Sequence, residues 1–371
     1  MKIAYLSIDN PKDFKSWSGL KLNIYNLLKK NHNDVKIIGP LKGKRRVFYL
    51  LIREFFKIFR IKYEADRKKF LSKIYSKIIS KKLKEKKFDC IFTSDTYLVS
   101  YLETNLPIFL WLDVTFKTYY DHYFNHLSID KTSYDEANHL ELLALKKAKK
   151  IILTSNWAKK QAIKNYQIPP SKIVIVPFGS NMTSFSYRYK RKEKTNSCNL
   201  VSVGVDWDRK GMDKAIEVCN HMNLRGLKTN LTIVGSVSNK KFPDYINQAG
   251  FLNKNSKSDF YKMIKIYKNS DFHILLSNKE ACGVVFAEAS QFGLYNITNN
   301  IGGIGGMVKN HYNGIRFKKN LSPRNIANYI VKIFKNKKKF YSLKKKSIKY
   351  YNMKLDWKIN SKKIQKIIEN K

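Results

Sequence analysis

The sequence predicts an α/β protein made of two doubly wound domains. Short apolar runs typical of buried parallel strands alternate with amphipathic, helix-like stretches through both halves of the chain. The runs at 2–7 and 200–204 each lead through a glycine-containing turn into a predicted helix, as in βα units. The length of 371 residues also favours division near the middle. Ligands of such domains bind beyond the carboxyl ends of the strands, so we expect the site in the cleft between the two domains.

Changes in composition along the chain predict the domain boundaries. Residues 187–198 are polar and basic without apolar periodicity, which is typical of a linker. The N-terminal domain is then predicted over 1–186 and the C-terminal domain over 199–345. A helical end segment is predicted over 346–371.

The most informative stretch contains two glutamates eight positions apart, Glu280 and Glu288. An apolar strand is predicted before them, and a turn containing Gly283 leads into a helix that is expected to end at Gly293. Free amide groups at the start of a helix favour anions. The pattern therefore suits a sugar diphosphate, with backbone donors for the phosphates and carboxylates for sugar or ribose hydroxyls. The alternative is a pair of solvated surface glutamates.

A second loop carries two adjacent cations. The apolar run at 200–204 leads into the letters DWDRKG at 206–211, which precede an amphipathic stretch. Cationic side chains beyond the end of a buried strand can neutralise a departing phosphate without a metal ion. The alternative is that Arg209 and Lys210 are two of many surface cations.

These two motifs resemble the D-W-x-R-K-G and E-x7-E signatures of family 4 (group 1) glycosyltransferases, which are retaining enzymes with the GT-B fold. The resemblance covers nearly the whole chain and is strongest from Thr154 to Phe317, where a V-P-x-G turn, a G-F-L segment at 250–252 and a glycine-rich loop at 301–306 match in order. In that loop Gly305 and Gly306 replace the family's Pro and Glu, so the missing carboxylate is given no role. The resemblance implies two Rossmann-like domains, an interdomain cleft and a C-terminal helix that crosses back to pack on the first domain.

The resemblance also implies roles for individual residues. Lys210 falls on the lysine that holds the donor diphosphate. The family's arginine position holds Val205, so Arg209 is expected to supply the second charge from a shifted position. Glu280 is expected to bind donor sugar hydroxyls, and Glu288 the ribose. The other expected donor-binding residues are Gly19, Gly204, Gly235, Leu252, Gly283, Val284 and Val285.

Asp113 is the candidate for the group nearest the acceptor hydroxyl. Relatives carry a histidine or an aspartate at the end of the strand predicted over 108–112. A carboxylate there could orient or deprotonate the acceptor hydroxyl. The alternative is a turn-forming or helix-capping aspartate. In retaining transfer the donor phosphate itself can take the acceptor proton. Arg209 and Lys210, the residues expected to hold the diphosphate, are therefore expected to matter more for catalysis than any protein base.

No metal site and no cofactor are predicted. Asp206 and Asp208 match the short D-x-D metal motif of the other large glycosyltransferase fold, but they lie inside the cationic loop, so metal-independent transfer is expected. His122 and His126 are four positions apart and are interpreted as surface features of a helix. The nucleoside-diphosphate sugar is expected to bind as the donor substrate and not as a cofactor.

The predicted activity is transfer of a hexose from a nucleoside-diphosphate sugar to a glycan or lipid-linked hydroxyl in cell-surface polysaccharide synthesis, such as that of lipopolysaccharide or capsule. Alternatives are a nucleotide-sugar epimerase or a glycan phosphorylase on the same fold, or a nucleic-acid-binding protein. An epimerase would not need a basic surface, and the chain gives no sign of a pyridoxal-binding lysine. None of the common nucleic-acid modules is recognisable.

The charge predicts a polyanionic partner. Lys and Arg number 73 against 28 Asp and Glu, which gives a formal net charge of +45. In the basic segment 42–87, the part from 45 to 60 alternates bulky apolar residues with cations, which suits either an in-plane membrane helix or a crossover helix packed on the core. We recognise no secretory signal and no spanning stretch, and the four cysteines lack metal or redox spacing. A cytoplasmic protein, peripherally bound to the inner face of the cell membrane, is expected.

Overall fold

The computed structural model describes residues 1–14, 16–41, 44–124, 128–182 and 196–370, with the side chains of Lys44 and Arg45 left aside. Contacts between Cα atoms divide the chain into two compact units, Met1–Pro177 with Asn360–Lys371, and Phe178–Ile359. Each unit is built on a parallel six-stranded sheet, so the predicted doubly wound α/β architecture is confirmed. The predicted linker at 187–198 falls mainly on 183–195, outside the described residues, and the domain boundaries stay a prediction.

The first unit alternates strands and helices. In chain order its elements are β1 (Lys2–Leu6), α1 (Leu20–Lys30), β2 (Asp34–Ile38), α2 (Lys44–Ile58), β3 (Ile61–Lys62), α3 (Lys69–Lys84), β4 (Cys90–Thr93), β5 (Ile108–Leu112), α4 (Phe116–Phe124), β6 (Ser128–Ile129), α5 (Lys131–Lys147), β7 (Lys150–Leu153), α6 (Asn156–Tyr166) and β8 (Ile173–Ile175). The main sheet has the order β2-β1-β4-β5-β7-β8, and all its neighbouring pairs are parallel. β3 and β6 form a separate parallel pair.

The central strands of this sheet are buried, as expected for a parallel sheet that helices cover on both faces. Phe92 on β4 and Phe109 and Trp111 on β5 are among the largest fully buried side chains. The strand order reverses between β1 and β4, so the crevice of this unit lies beyond the carboxyl ends of these two strands.

The second unit has the same organisation. Its elements are β9 (Cys198–Gly204), α7 (Trp207–Lys210), α8 (Met212–Leu224), β10 (Thr229–Gly235), β11 (Ile246–Gly250), α9 (Lys257–Asn269), β12 (Phe272–Leu275), α10 (Val285–Gln291), β13 (Tyr295–Asn299), β14 (Gly314–Phe317), α11 (Pro323–Lys335) and α12 (Lys337–Tyr350). The parallel order β11-β10-β9-β12-β13-β14 is 3-2-1-4-5-6 within this unit, the Rossmann order. The order reverses between β9 and β12.

Helix α10 ends as the sequence predicts. Gly293 follows it with a φ of 74°, a left-handed conformation that glycine adopts without steric cost. The amide groups of Gly293 and Leu294 donate to the carbonyls of Ser290 and Ala289 at 3.0 Å each, which satisfies the end of the helix. The predicted stop at Gly293 is confirmed.

The last helix, α13 (Trp357–Glu369), contributes residues to both units. The Trp357 indole donates to the Ser180 carbonyl at 2.8 Å within the second unit. Within the first unit, the Asn360 amide donates to the Pro177 carbonyl at 2.9 Å and the Ser361 hydroxyl to the Leu27 carbonyl at 3.2 Å. The end of α13 therefore packs beside α1. No helix in the described ranges is long and apolar enough to cross a bilayer.

Candidate functional site

The candidate site lies where the strand order of the second unit reverses. β9 ends at Gly204 and the chain continues into α7, while β12 ends at Leu275 and the chain continues towards Glu280. Asn278 joins the two loops: its amide N–H donates to the Arg209 carbonyl at 2.7 Å, and its side chain donates to the Asp208 carbonyl at 2.9 Å. The two predicted motifs therefore form one structure, although they are far apart in the sequence.

Lys210 and Glu280 form a buried ion pair in this structure. The Lys210 ammonium donates to the Glu280 carboxylate, and the two side chains are 10 % and 7 % exposed. A Cβ atom on Gly204 would lie 2.7 Å from the Lys210 side chain. Glycine at position 204 therefore leaves space for the lysine side chain to pass. Arg209 is nearby, with a guanidinium nitrogen 4.0 Å from the same carboxylate. Three of the four predicted catalytic residues thus come together.

Asp206 holds the cationic loop in shape. Its carboxylate accepts from the Arg209 amide N–H at 3.0 Å, as the N-cap of α7, and from the Arg209 guanidinium at 2.9 Å. Burial raises the pKa of Asp206, but these bonds outweigh it and leave that pKa below its ordinary value. The first aspartate of the D-x-D match is therefore engaged as a cap and as the partner of Arg209. Among the described residues, no group of three or more His, Cys, Asp or Glu is placed to hold a metal ion.

A glycine ends the cationic loop because the backbone needs a left-handed conformation there. Gly211 has a φ of 67°, and a Cβ atom at this position would lie 2.3 Å from the Leu276 carbonyl oxygen. This close approach brings the loop after α7 against the loop after β12. Gly204 and Gly235, two of the four predicted donor-binding glycines, end neighbouring strands and are paired in register.

Glu288 is almost fully buried on α10, and two side chains contact its carboxylate. The Lys254 ammonium donates to one oxygen, and the Tyr267 hydroxyl donates to the other at 3.0 Å. Burial, and then the Glu288 charge, raise the pKa of Tyr267 well above its ordinary value, so the tyrosine stays a hydrogen-bond donor. The sequence analysis did not identify either partner, because residues 34 and 21 positions away carry no local signal of a contact.

Some backbone amide groups at the start of α10 donate hydrogen bonds within the turn itself. The amide groups of Phe286 and Ala287 donate to the carbonyls of Gly283 and Val284 at 3.1 and 2.9 Å, and that of Glu288 donates to Val284 at 3.2 Å. Gly283 has a φ of 78°, as a left-handed turn requires. Phosphate contact by the backbone of 283–285 stays a prediction.

Buried polar atoms without a hydrogen-bond partner among the described residues occur at the same edge of the sheet. They are the hydroxyls of Ser236 and Ser277 and the carbonyl oxygen of the Asn299 side chain, which follow or end β10, β12 and β13. Buried polar groups are nearly always satisfied in folded proteins. An edge with three such atoms is suited to a polar ligand.

His273 lies under this edge in the middle of the sheet. Its ring hydrogen-bonds the Asn296 side chain at 2.8 Å through Nδ1, and Nε2 has no partner in the described part of the chain. Burial lowers the pKa of His273 to about 4, so the ring is neutral at physiological pH. The sequence analysis did not identify His273 as a candidate, because the residue lies within a run that was predicted only as an apolar strand.

Apolar side chains flank the polar edge. Val205, Val237 and Phe251 each follow one of the neighbouring strands β9, β10 and β11, and each is more than 60 % exposed. Leu252, the predicted donor contact, instead packs partly buried against the cluster that contains Tyr267. The exposed residue of the G-F-L segment is therefore its phenylalanine.

Two predicted residues belong to the first unit. Asp113 follows β5, half-buried, and its carboxylate accepts from the Val114 amide N–H at 2.8 Å, a contact that fits the alternative of a turn-forming aspartate. Gly19 caps α1 with a φ of 84°. In the same unit the Lys21 ammonium contacts the Asp95 carboxylate at 2.6 Å, and Asp95 follows β4, one of the two strands between which the strand order reverses.

The predicted histidine pair is described only in part. His122 lies on α4 with its ring 5.0 Å from that of Trp157. His126 lies outside the described residues.

Comparison with known proteins agrees with this geometry. Residues 185–350, the part that contains the candidate site, match a family model described as "Glycosyl transferases group 1". No curated protein matches the chain.

Solved structures match along the whole chain. A glycosyltransferase from Rickettsia africae is 19 % identical with a TM-score of 0.69, and the match covers 100 % of this chain and 98 % of that one. HepE from Anabaena, solved with UDP, is 14 % identical with a TM-score of 0.68 and complete coverage of both chains. The lipopolysaccharide outer core galactosyltransferase WaaB is 14 % identical with a TM-score of 0.66, covering 100 % and 99 %. The chain has the predicted GT-B fold.

Proposed function

We propose that this protein is a metal-independent, retaining glycosyltransferase of family 4 that transfers a hexose from a nucleoside-diphosphate sugar. The observation that carries the proposal is the buried Lys210–Glu280 pair, with Arg209 beside it, at the reversal point of a Rossmann-type sheet. The group 1 match over the same residues supports it. HepE, which has the same fold, is solved with UDP and with UDP-glucose, so UDP-hexoses are the first donors to test.

The charges at this site suit a diphosphate leaving group. Lys210 and Arg209 would neutralise the negative charge that develops as the bond between sugar and phosphate breaks. In the free protein Glu280 balances the Lys210 charge. Donor binding would bring a stronger anion to Lys210, and Glu280 would then be available to accept hydrogen bonds from the sugar hydroxyls.

Glu288 retains the capacity to bind ribose. A carboxylate has about four lone-pair positions, and Lys254 and Tyr267 use two of them in this structure. The remaining positions could accept from the ribose hydroxyls. For the acceptor we propose a hydroxyl whose proton passes to the donor phosphate, with Asp113 as a secondary candidate for orienting it.

We place the reaction in cell-surface polysaccharide synthesis at the cytoplasmic face of a membrane. WaaB, of the same fold, is described as a lipopolysaccharide outer core enzyme. The net charge of +45 favours an anionic surface near the acceptor. All four cysteines lie in the described part of the chain and are free and buried, which fits a reducing compartment.

Thermal unfolding with UDP, GDP, ADP, TDP and CMP tests the donor assignment. A diphosphate at a hundredfold excess over its Kd should stabilise the protein by about 2.7 kcal/mol. The Lys210→Met variant should lose this shift, whereas Lys240→Met, at an exposed ion pair with Asp213, should keep it. Failure of every nucleotide to stabilise the wild type would overturn the proposal.

Product analysis tests the reaction class. Incubation of the stabilising donor with an acceptor glycolipid should give a product with the donor's anomeric configuration, in the presence of a chelator. Conversion of the donor sugar to its epimer without an acceptor would instead identify an epimerase.

A further inference from the structure

Helix α2 presents an unusually apolar face to solvent. Val47, Phe48, Leu51, Phe55 and Ile58 are between 53 % and 76 % exposed. Positions 47, 51, 55 and 58 fall on one stripe of an α-helix, with 48 beside it. Phe59, immediately after the helix, is 60 % exposed and packs edge-on against Phe55. We call these six residues the α2 face.

The opposite side of α2 holds the helix on the first unit. The ring of Phe56 stacks on that of Tyr63 at a centroid distance of 5.1 Å, and the Arg46 guanidinium pairs with the Asp66 carboxylate. Even so, none of the side chains described from Arg46 to Ile58 is buried. The core explanation for the apolar residues of α2 therefore fails for the α2 face.

We propose that the α2 face inserts into an anionic membrane surface, with α2 lying in the plane of the bilayer. The helix has 15 residues and a length of about 22 Å, shorter than the roughly 30 Å of a bilayer's hydrocarbon core, so it is suited to lie in the surface rather than to span it. Aromatic and branched residues on one face of such a helix partition into the boundary between head groups and acyl chains.

The net charge favours an anionic membrane, rather than a second copy of the chain, as the partner of the α2 face. Two molecules that each carry a net charge of +45 repel one another, whereas an anionic leaflet attracts them. Lys57 near the end of α2 is exposed. On the next helix, α3, Lys69, Lys73, Lys77 and Lys81 are exposed at intervals of four residues. The proposal is independent of the donor site, because vesicle binding needs no substrate.

Vesicle sedimentation with matched variants tests the proposal. The triple variant Leu51→Gln/Phe55→Gln/Ile58→Gln should bind vesicles of phosphatidylcholine and phosphatidylglycerol about 100-fold more weakly than the wild type. The control Leu224→Gln/Tyr261→Gln/Met353→Gln alters three exposed apolar side chains elsewhere and should bind as the wild type does. Equal binding by both variants would overturn the proposal, because attraction by charge alone would then explain it.

Insertion is measured separately from binding. A Phe55→Trp variant should show fluorescence quenching by phosphatidylcholine and phosphatidylglycerol with brominated acyl chains, beyond that of the wild type. Tyr261→Trp should show no added quenching. Absence of added quenching from position 55 on protein that has sedimented with vesicles would refute insertion. Concentration-dependent dimers in analytical ultracentrifugation that the triple variant abolishes would also overturn the proposal, in favour of a second copy.

Discussion

Replacing Lys210 with methionine tests the central ion pair of the candidate site. Methionine keeps much of the lysine stem but removes the ammonium group, so the buried Glu280 carboxylate loses its close ion pair, while a guanidinium nitrogen of Arg209 stays 4.0 Å away. Removing one partner of a buried pair costs about 3–5 kcal/mol. A unit of this size loses about 2–4 °C in Tm per kcal/mol, so we expect the transition of the second unit to fall by roughly 10 °C.

A double-mutant cycle separates the pair from other effects of the substitution. Glu280→Gln alone leaves the Lys210 ammonium without its partner and should also be destabilising. The double variant Lys210→Met/Glu280→Gln removes both charges, so its loss should be smaller than the sum of the single losses by about 2 kcal/mol or more. Differential scanning calorimetry of the wild type and the three variants gives the unfolding transition of each.

The control is a lysine whose ion pair is exposed. Lys240 and Asp213 have side chains that are 63 % and 47 % exposed, so Lys240→Met should change stability by no more than about 0.5 kcal/mol. Additive losses in the cycle, or a Lys210→Met transition equal to that of Lys240→Met, would refute the reasoning from the buried geometry.

Two further predictions concern the interior of the same unit. Lys254→Met removes a counter-charge from buried Glu288 and should cost about 3 kcal/mol in thermal unfolding, whereas Lys262→Met, at an exposed position, should cost almost nothing; equal effects would contradict the pairing. The pKa of His273 falls from 6.5 to about 4 on folding, so the unfolded chain binds a proton first as the pH drops. Stability from this histidine is therefore complete above about pH 6.5 and is lost towards pH 4, by about 2 kcal/mol between pH 7 and pH 5. Urea unfolding at both pH values should show a shallower pH dependence for His273→Gln than for the wild type, and equal slopes would exclude the histidine as the cause.

The fold was predictable because its signals are local. Alternating strand and helix patterns, the glycine that ends β9 and the stop at Gly293 each depend on a few neighbouring residues, and the structure has all of them. The strand order was not predictable from these patterns. Hydrogen bonding between β9 and β12 joins segments about 70 residues apart, and nothing local marks that pairing.

The candidate site, like the fold, was predictable from the sequence only in part. The motifs identified Arg209, Lys210 and Glu280 as chemically important, and the structure brings these three together. The motifs did not show that Lys210 and Glu280 neutralise each other in the free protein. They also gave no sign of Lys254 as the partner of Glu288, since a salt bridge between distant residues depends on which loops the sheet places side by side.

For α2 the sequence left two interpretations open, because one hydrophobic pattern serves both a core and a membrane. Only the packing of the first unit decided that its apolar stripe is exposed. The sequence by itself determined which residues carry charge, which segments form strands and helices, and where the backbone turns. The tertiary structure decided which charges are buried together and which apolar faces stay uncovered, since burial is a property of the assembled sheet and helices and not of any one segment.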